Sequence, residues 1–441
     1  MTIQVCEYAL ITSDTSQKSG LDLGIVSKQT FSWLETLHQQ WEGSAQIVSR
    51  QGKRFLRLGS YVGYLESPTG EAIEILPKTR LGEDEDPIRQ RRVLRRMLQA
   101  AADITPREGE TASLYRSKLP LHEWIYSEFL RHLLELVRRG LRSDYHLTED
   151  DDSAFIRGQL DINRQIRQVP GKGARFHVRY AEFTPQRIEN RILRTVLEIV
   201  LSSTKENQTW RTATTLKHQM ADIEPVSDAL SQLSRWSDGK YLLAYRAIKP
   251  WCQLILEKHN PDFQKGGHQG ITLLFPMEKL FESWVGYSLK RALVTGYAFT
   301  AQARRHHLLS HALDESALPE AWFALKPDFV VQNSDESYVL DAKWKLLDSL
   351  QGNRAKKYGI SQADLYQMFA YGQKYLQGRG DMMLIYPAHP LFSAPLPLFE
   401  FDKRLRLWCV PFDLETGALI GGTWQEAISV FTTQQRSVYG V

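Results

Sequence analysis

The spacing of apolar and polar positions changes character twice along the chain. Up to about residue 80 the apolar residues come in short runs, as in FLRLGSYVGYLE (55–66) and EAIEILPK (71–78), with the turn sequence Ser67-Pro68-Thr69-Gly70 between them. Runs of this length, broken by Gly and Pro, predict strands joined by hairpins. One helix is expected near 30–40. A β-rich, barrel-like domain over 1–85 follows, and since its charged residues merely alternate with apolar ones, its expected role is docking rather than chemistry.

From Pro87 the period becomes helical. Segments 87–103 and 119–141 carry amphipathic spacing, and 185–259 adds further helices, with Leu193, Val196, Leu197, Ile199 and Val200 crowding one side. A mainly helical middle region, 86–262, is expected, serving as scaffold or DNA path. Within it the acidic cluster 149–152 and PGKGAR (170–175) read as solvated loops. The polar stretch 82–87 reads as a break, and NPDFQKGGHQG (260–270) as the linker before a last domain, 263–441.

That domain opens on a helix over 276–293, where Glu278 and Glu282 lie four apart and share a face. A strand near 298–304 is followed by LKPDFVVQNSDESYVLDAKWK (325–345), in which two apolar-rich runs flank a polar connection and predict a β-hairpin. A helix from Ser361 to about Leu376 puts Asp364, Gln367 and Tyr371 on one side, and DMMLIYP (381–387) is a further strand. The order helix, hairpin, helix, strand is that of an α/β sandwich. The fold class expected is therefore multidomain α+β.

The chemistry sits in the charged exceptions of the hairpin. Alternation places Asp341 and Lys343 on one face with Val339, and Asp328 begins the partner strand, where pairing brings its carboxylate toward Asp341. Two converging carboxylates repel unless a cation lies between them, and hard oxygen donors suit Mg²⁺. A lysine beside that cation is the layout of a site that hydrolyses phosphodiesters. The run Arg304-Arg305-His306-His307 with His311 is dense in imidazoles, but neighbouring side chains on an extended chain point apart, so contacts to phosphate, or plain surface, fit it better than a metal.

Composition narrows the class. With 441 residues, 42% of them hydrophobic, the chain holds more than one core, and no apolar run approaches a membrane span. The start MTIQVCEYAL lacks the regions of a signal peptide, so a cytoplasmic protein is expected. Cys6, Cys252 and Cys409 lie too far apart for a zinc motif and read as packing residues. A net charge of +4 is modest for a nucleic-acid binder, but basic residues bunch at 89–96, 137–142 and 354–357. The first two bunches read as solvated helix faces, the third as a phosphate contact near the hairpin. GxxxxGK[ST] is absent, which excludes the usual phosphate-cradle nucleotide site.

Glu282 on a helix, then Pro327-Asp328, Asp341-Ala342-Lys343 and a helix with Gln367 and Tyr371, together resemble the PD-(D/E)xK nuclease superfamily and its QxxxY-bearing, RecB-like branch. Asp341 stands where many members carry Glu, which preserves the carboxylate. SYVGYLESPTGEAIEILPK (60–78), FIRGQLD (155–161), YAEFTPQRIENRILRTVL (180–197) and MEKLFESWV (277–285) extend the likeness over nearly the full length. In this set the chain is similar to the McrC nuclease subunits of McrBC-type modification-dependent restriction systems.

The resemblance implies an endonuclease that cuts DNA when docked on a hexameric, McrB-like AAA+ GTPase, whose GTPase it stimulates and which reads the modified cytosine. GTP would enter only through that partner. Asp328, Asp341, the Ala342 carbonyl and Glu282 would hold Mg²⁺, with Mn²⁺ as a substitute, and Glu278 is the rival to Glu282 as helix acid or base. Lys343 would position the attacking water, and Gln367 and Tyr371 would brace the site. Alternative readings are a catalytically weak adaptor that activates the motor, and a stand-alone RecB-like repair nuclease.

Overall fold

A computed structural model describes residues 2–40, 47–80, 86–102, 104, 119–168, 175–237, 239–258, 272–312, 318 and 320–431. The expected loop and linker at 82–85, 170–174 and 260–270 lie outside these residues. Contacts gather the chain into two units: Met1–Lys118 with Leu273–Val441, and Leu119–Thr272.

The first unit begins with β1 (Thr2–Cys6), β2 (Leu10–Thr12), β3 (Leu23–Ile25), helix α1 (Lys28–Gln40), β4 (Val48–Gln51), β5 (Phe55–Leu58), β6 (Tyr61–Glu66) and β7 (Ala72–Leu76). β1 and β2 are kept apart by Tyr8, whose φ of 62° no strand accommodates. Instead of one barrel the strands form two small sheets, β3-β2-β5-β4 and one containing β1-β7-β6, around a common core that includes Val5, Ile11, Leu34 and Ile73. The predicted turn after β6 is present, with Gly70 N–H bonded to the Ser67 carbonyl at 2.9 Å.

Helix α2 (Pro87–Ala101) starts where Asp86 caps it, Oδ1 accepting from Ile88 N at 2.9 Å, with Pro at the first position. Its basic run is not the solvated face expected. Arg91 is buried against Glu74 of β7, with Nε donating to Oε1 at 2.9 Å, and Arg89 and Arg96 both engage Glu415. A buried arginine needs such a partner, and only the fold brings one.

The second unit holds α3 (Leu121–Arg138), β8 (Asp144–Ser153), β9 (Gln159–Leu160), β10 (Phe176–Thr184), α4 (Ile188–Ser203), α5 (Asn207–Gln219) and α6 (Lys249–Lys258). The helices pack around Trp124 and Trp251, whose rings meet edge-on at 5.4 Å. Against expectation, 149–152 lies within β8, where Glu149 is opposite Arg179 of β10. Backbone pairing is open to any non-proline residue, so an acidic run predicts solvent and not a loop.

The chain then returns to the first unit through β11 (Thr272–Pro276), which completes the sheet β1-β7-β6-β11. Gly63 permits that pairing: its φ is 138°, and a Cβ would sit 1.8 Å from the Leu273 carbonyl oxygen. Next come α7 (Met277–Ala292), β12 (Ala298–Ala301), a ribbon of β13 (His306–His311) and β14 (Glu320–Leu325), then β15 (Phe329–Gln332), β16 (Ser337–Ala342), α8 (Gln362–Tyr375), β17 (Gly380–Pro387), β18 (Phe399–Glu400) and β19 (Leu405–Asp413). A sheet runs β12-β15-β16-β17-β19-β18, antiparallel at β15-β16 and parallel at β16-β17 and β17-β19. Helix α2, which the sequence reading groups with the middle region, packs on β7 and α7 of this unit.

All three cysteines are buried and none forms a disulfide. No helix among the described residues is long and apolar enough to cross a membrane.

Candidate active site

The predicted hairpin forms, with a tighter turn and shorter strands than its apolar runs span. Asn333 closes it, its Oδ1 accepting from Asp335 N at 2.8 Å and Glu336 N at 2.7 Å. The register pairs Phe329 with Leu340. One step further along, that register sets Asp328 against the strand end that carries Asp341. Asp328 Oδ2 accepts the Ala342 N–H at 2.7 Å, which ties the start of β15 to the end of β16.

Asp341 is 1% exposed. Its Oδ2 forms an ion pair with Lys343 Nζ at 2.6 Å, while Oδ1 has no hydrogen-bond donor among the described residues. The Lys343 ammonium also donates to Gln367 Oε1 at 3.0 Å. Gln367 Nε2 donates to the Tyr371 hydroxyl at 2.7 Å, which in turn donates to the Lys326 carbonyl at 2.9 Å. Residues 326, 343, 367 and 371 thus form one chain of bonds that leads back to the segment bearing Asp328. Helix α8 can approach this closely because Gly372 faces β19, where a Cβ would lie 2.6 Å from Leu405.

The electrostatics follow from burial. Asp328 is pushed up to about 8, by desolvation first and then by the charges of Asp341 and Glu282. Asp341 is also raised, again by desolvation, with Lys343 opposing and Asp364 and Glu282 adding to it. Lys343 is raised in spite of burial because Asp341 and Asp328 hold its charge. Burial lifts Tyr371 to about 12, so its hydroxyl keeps its proton as a donor.

Of the two helix acids, Glu282 is the one the fold brings toward this group: its charge acts on Asp328 and Asp341, and its Oε1 accepts from Gln302 Nε2 at 2.9 Å. Glu278 is exposed and acts on Tyr8. Gly286, one turn past Glu282, lets α7 pack closely, since a Cβ there would be 2.7 Å from the Phe329 ring.

Whether the residues suit a hard divalent cation can be judged from the carboxylates. Two other buried acids of this unit, Glu74 and Asp381, are satisfied by protein donors: Arg91 for the first, Arg406 and Trp408 for the second. Asp341 Oδ1 is not, and a buried anionic oxygen without a donor costs on the order of several kcal/mol unless a cation meets it. Among the described residues no group of three or more His, Cys, Asp or Glu side chains is poised to hold an ion. Two carboxylates with a backbone carbonyl, the remaining positions going to water, is the donor set Mg²⁺ accepts. The site fits such an ion.

Three contributors were given no role in the site by sequence reasoning, although Asp364 had been placed on the helix side of Gln367 and Tyr371. Asp364 shares the helix side with Gln367 and adds its charge to Asp341 and Lys343. Tyr375, one turn beyond Tyr371, lies within hydrogen-bond distance of the Ala303 and Leu325 carbonyls, at 3.0 and 3.1 Å. Its spacing from Gln367 and Tyr371 was a usable signal. Glu7, fully buried, accepts from Trp344 Nε1 at 2.6 Å, Lys78 N at 3.1 Å and Ser60 Oγ at 3.2 Å. It braces the residue next to Lys343 from 337 positions away, for which no local signal exists.

The fold has counterparts. In solved structures the chain is similar over 95% of its length to a chain in the half-complex from a tetradecameric assembly of Thermococcus gammatolerans McrB AAA+ hexamers with bound McrC, covering 96% of that chain at 18% identity and a TM-score of 0.64. A second likeness, to a chain in the Thermococcus gammatolerans McrBC complex, covers 67% of this chain and 89% of that one at 21% identity and a TM-score of 0.49. No curated protein matches by sequence. The family model for the McrBC 5-methylcytosine restriction system component matches residues 56–387, well over half of the chain. The chain belongs to the family of McrBC 5-methylcytosine restriction system components.

Proposed function

We propose that the chain is the DNA-cleaving subunit of a modification-dependent restriction complex, a Mg²⁺-dependent endonuclease with a PD-(D/E)xK core. The observation that carries this reading is the convergence of Asp328, Asp341 and Lys343 at one end of β15 and β16, with Asp341 Oδ1 lacking a protein donor. The mixed sheet, with α8 crossing between the parallel strands β16 and β17, is the scaffold such a site needs.

Asp328, Asp341 and the Ala342 carbonyl would hold Mg²⁺ or Mn²⁺, with Glu282 at the margin as a further acid or base. The ion, when bound, supplies charge neutralisation at the phosphate and a more acidic water. Lys343, fixed between Asp341 and Gln367, orients the attacking water and stabilises the charge that builds on the phosphate oxygens. Tyr371 holds Gln367 in place and thereby the ammonium.

The McrC of the T. gammatolerans assembly is bound to McrB AAA+ hexamers. By that likeness, this chain works on an AAA+ hexamer, and we infer further that the hexamer hydrolyses GTP and that the chain stimulates it. Sequence reading places docking in residues 1–85; exposed apolar side chains favour the second unit instead, where Tyr145, Phe155, Ile156, Ile162, Ile166 and Phe183 are all more than half exposed.

The test mixes purified chain, its AAA+ partner, GTP, Mg²⁺ and methylated DNA, scoring cleavage and GTP turnover separately. Asp341→Asn and Lys343→Ala are expected to lower cleavage by roughly 10³-fold or more and to leave GTP turnover intact. Folded variants that still cut at the parental rate would exclude this site. A parent that stimulates the GTPase but never cuts would point to the adaptor reading.

A further inference from the structure

We propose that the connection between β16 and α8, residues 343–361, holds duplex DNA beside the site, with Lys345, Arg354, Lys356 and Lys357 meeting phosphates that flank the one being cut. The inference rests on the nuclease reading above and adds the element that seats its substrate.

Charge singles this connection out. Its whole length is described, and it carries Lys343, Lys345, Arg354, Lys356 and Lys357 against one carboxylate, Asp348. The next acid, Asp364, lies on α8. Lys345, Arg354, Lys356 and Lys357 are all exposed, and among the described residues none of them forms an ion pair. The basic run of α2 differs, since Arg89 and Arg91 are held there by Glu415 and Glu74. Unpaired like charges so close in the chain repel one another, and a polyanion relieves that repulsion.

The carboxylate and amides of the connection are turned to its own backbone. Asp348 Oδ1 accepts from Leu350 N at 3.0 Å and Oδ2 from Gln351 Nε2 at 2.7 Å. Asn353 Oδ1 accepts from Ala355 N at 3.1 Å and Lys356 N at 2.8 Å. Leu347 and Ile360 root the two ends in the core, and the Tyr358 ring stands edge-on to Phe399 at 6.1 Å. Lys357, Tyr358 and Gly359 follow one another at φ of 50°, 57° and 90°, a left-handed run that residues other than glycine rarely take. The cations are carried on a fixed frame, so less ordering opposes binding than on a free loop.

Both ends of the connection meet at the reacting centre. It leaves β16 at Lys343, which is paired with Asp341, and returns into α8, whose Gln367 accepts from that same lysine at 3.0 Å. A polymer seated on the connection therefore lies beside Asp341 and Lys343. Exposed cations spread along a segment suit an extended polyanion, whose phosphates they meet in turn, whereas a single small anion needs polar groups that converge on one point.

The experiment uses the full chain carrying Asp341→Asn, so that DNA is bound and not cut, with a fluorescent duplex read by anisotropy in Mg²⁺. Adding Arg354→Gln, Lys356→Gln and Lys357→Gln together is expected to reduce the slope of log Kd against log salt by roughly 3, about 0.9 for each phosphate no longer neutralised. Lys356→Gln alone is expected to reduce it by about 0.9, and the charge-retaining set Arg354→Lys, Lys356→Arg and Lys357→Arg to keep it. Circular dichroism and sedimentation of these variants are expected to match those of Asp341→Asn alone. A salt slope unchanged by the Gln variants, or lost equally in the charge-retaining set, would overturn the connection's role and leave the nuclease reading standing. Lower GTP turnover by the AAA+ partner with DNA affinity untouched would overturn it in favour of an acidic surface on that partner. A parent that binds duplex with the expected slope changes but never cuts would support the connection's role and remove the nuclease reading. A parent that neither binds duplex nor cuts would overturn both.

Discussion

At the scale of single residues the site is organised by two desolvated carboxylates and the ammonium between them and α8. Asp328 is pushed up to about 8 against an ordinary value of 3.8, chiefly because burial disfavours its charge. Between those two values the folded protein binds a proton that the unfolded chain releases, so this group's contribution to stability falls as pH rises from about 4 to 8. Asp328→Asn removes the titration and is expected to raise Tm by roughly 1–3 °C at pH 8, with the gain shrinking toward pH 5; thermal melts at both pH values check it. The same shift means that a divalent cation must displace a proton. Mg²⁺ binding should therefore release protons near pH 7 and weaken as pH falls, which calorimetry in buffers of different ionisation enthalpy reads directly. Heat that is independent of buffer would contradict the assignment.

At the scale of elements, two close approaches set where the functional side chains stand. Gly286 on α7 abuts the Phe329 ring and Gly372 on α8 abuts Leu405, and both partners are at least 98% buried. Replacing Gly286 by Ala would gain about 0.5–1 kcal/mol of helix propensity, but the added methyl overlaps a ring that has no room to give. Overpacking costs typically about 1–3 kcal/mol, so the clash wins. Gly286→Ala is expected to lower stability by about 1 kcal/mol in urea denaturation and to reduce cleavage more than GTPase stimulation, because Glu282 is carried outward with the helix. The strands of the hairpin were legible at this scale, as were α7 and α8, since each is specified by its own spacing of apolar residues, with Pro276 at the start of α7 and the Ser361 cap at the start of α8. Their packing distances were not, because a helical glycine looks the same in sequence whether it faces solvent or an aromatic ring.

At the scale of the whole molecule the chain is not three beads on a string. The N-terminal sheets and the site-bearing sheet belong to one unit, joined by the β6-β11 pairing and by the Glu7–Trp344 bond. A fragment comprising 273–441 leaves β11 without its sheet and Trp344 without its acceptor. It is expected to be unfolded or aggregated by circular dichroism and sedimentation, whereas a clean nuclease domain would behave as a folded monomer. The second unit makes the complementary prediction. Phe155→Ser with Ile156→Ser, both exposed in the free chain, should leave the fold intact and lower GTPase stimulation of the partner by roughly tenfold or more, an effect of the size expected for interface anchors. Unchanged stimulation would return docking to the first 85 residues.

The sequence by itself determined the local pieces and the chemical oddities they carry. Asp328, Asp341 and Lys343 stood out as charged exceptions in apolar runs of known period, and Gln367 and Tyr371 by their shared helix side and the family resemblance. The tertiary structure alone decided that Asp341 Oδ1 finds no donor among the described residues, that the charge of Glu282 and not of Glu278 acts on the two aspartates, that Arg89 and Arg91 of α2 are held in ion pairs, and that β11 returns to complete a sheet begun at β1. Backbone pairing uses groups that nearly every residue possesses, and desolvation depends on neighbours brought from elsewhere in the chain. Neither leaves a mark on the local pattern of side chains.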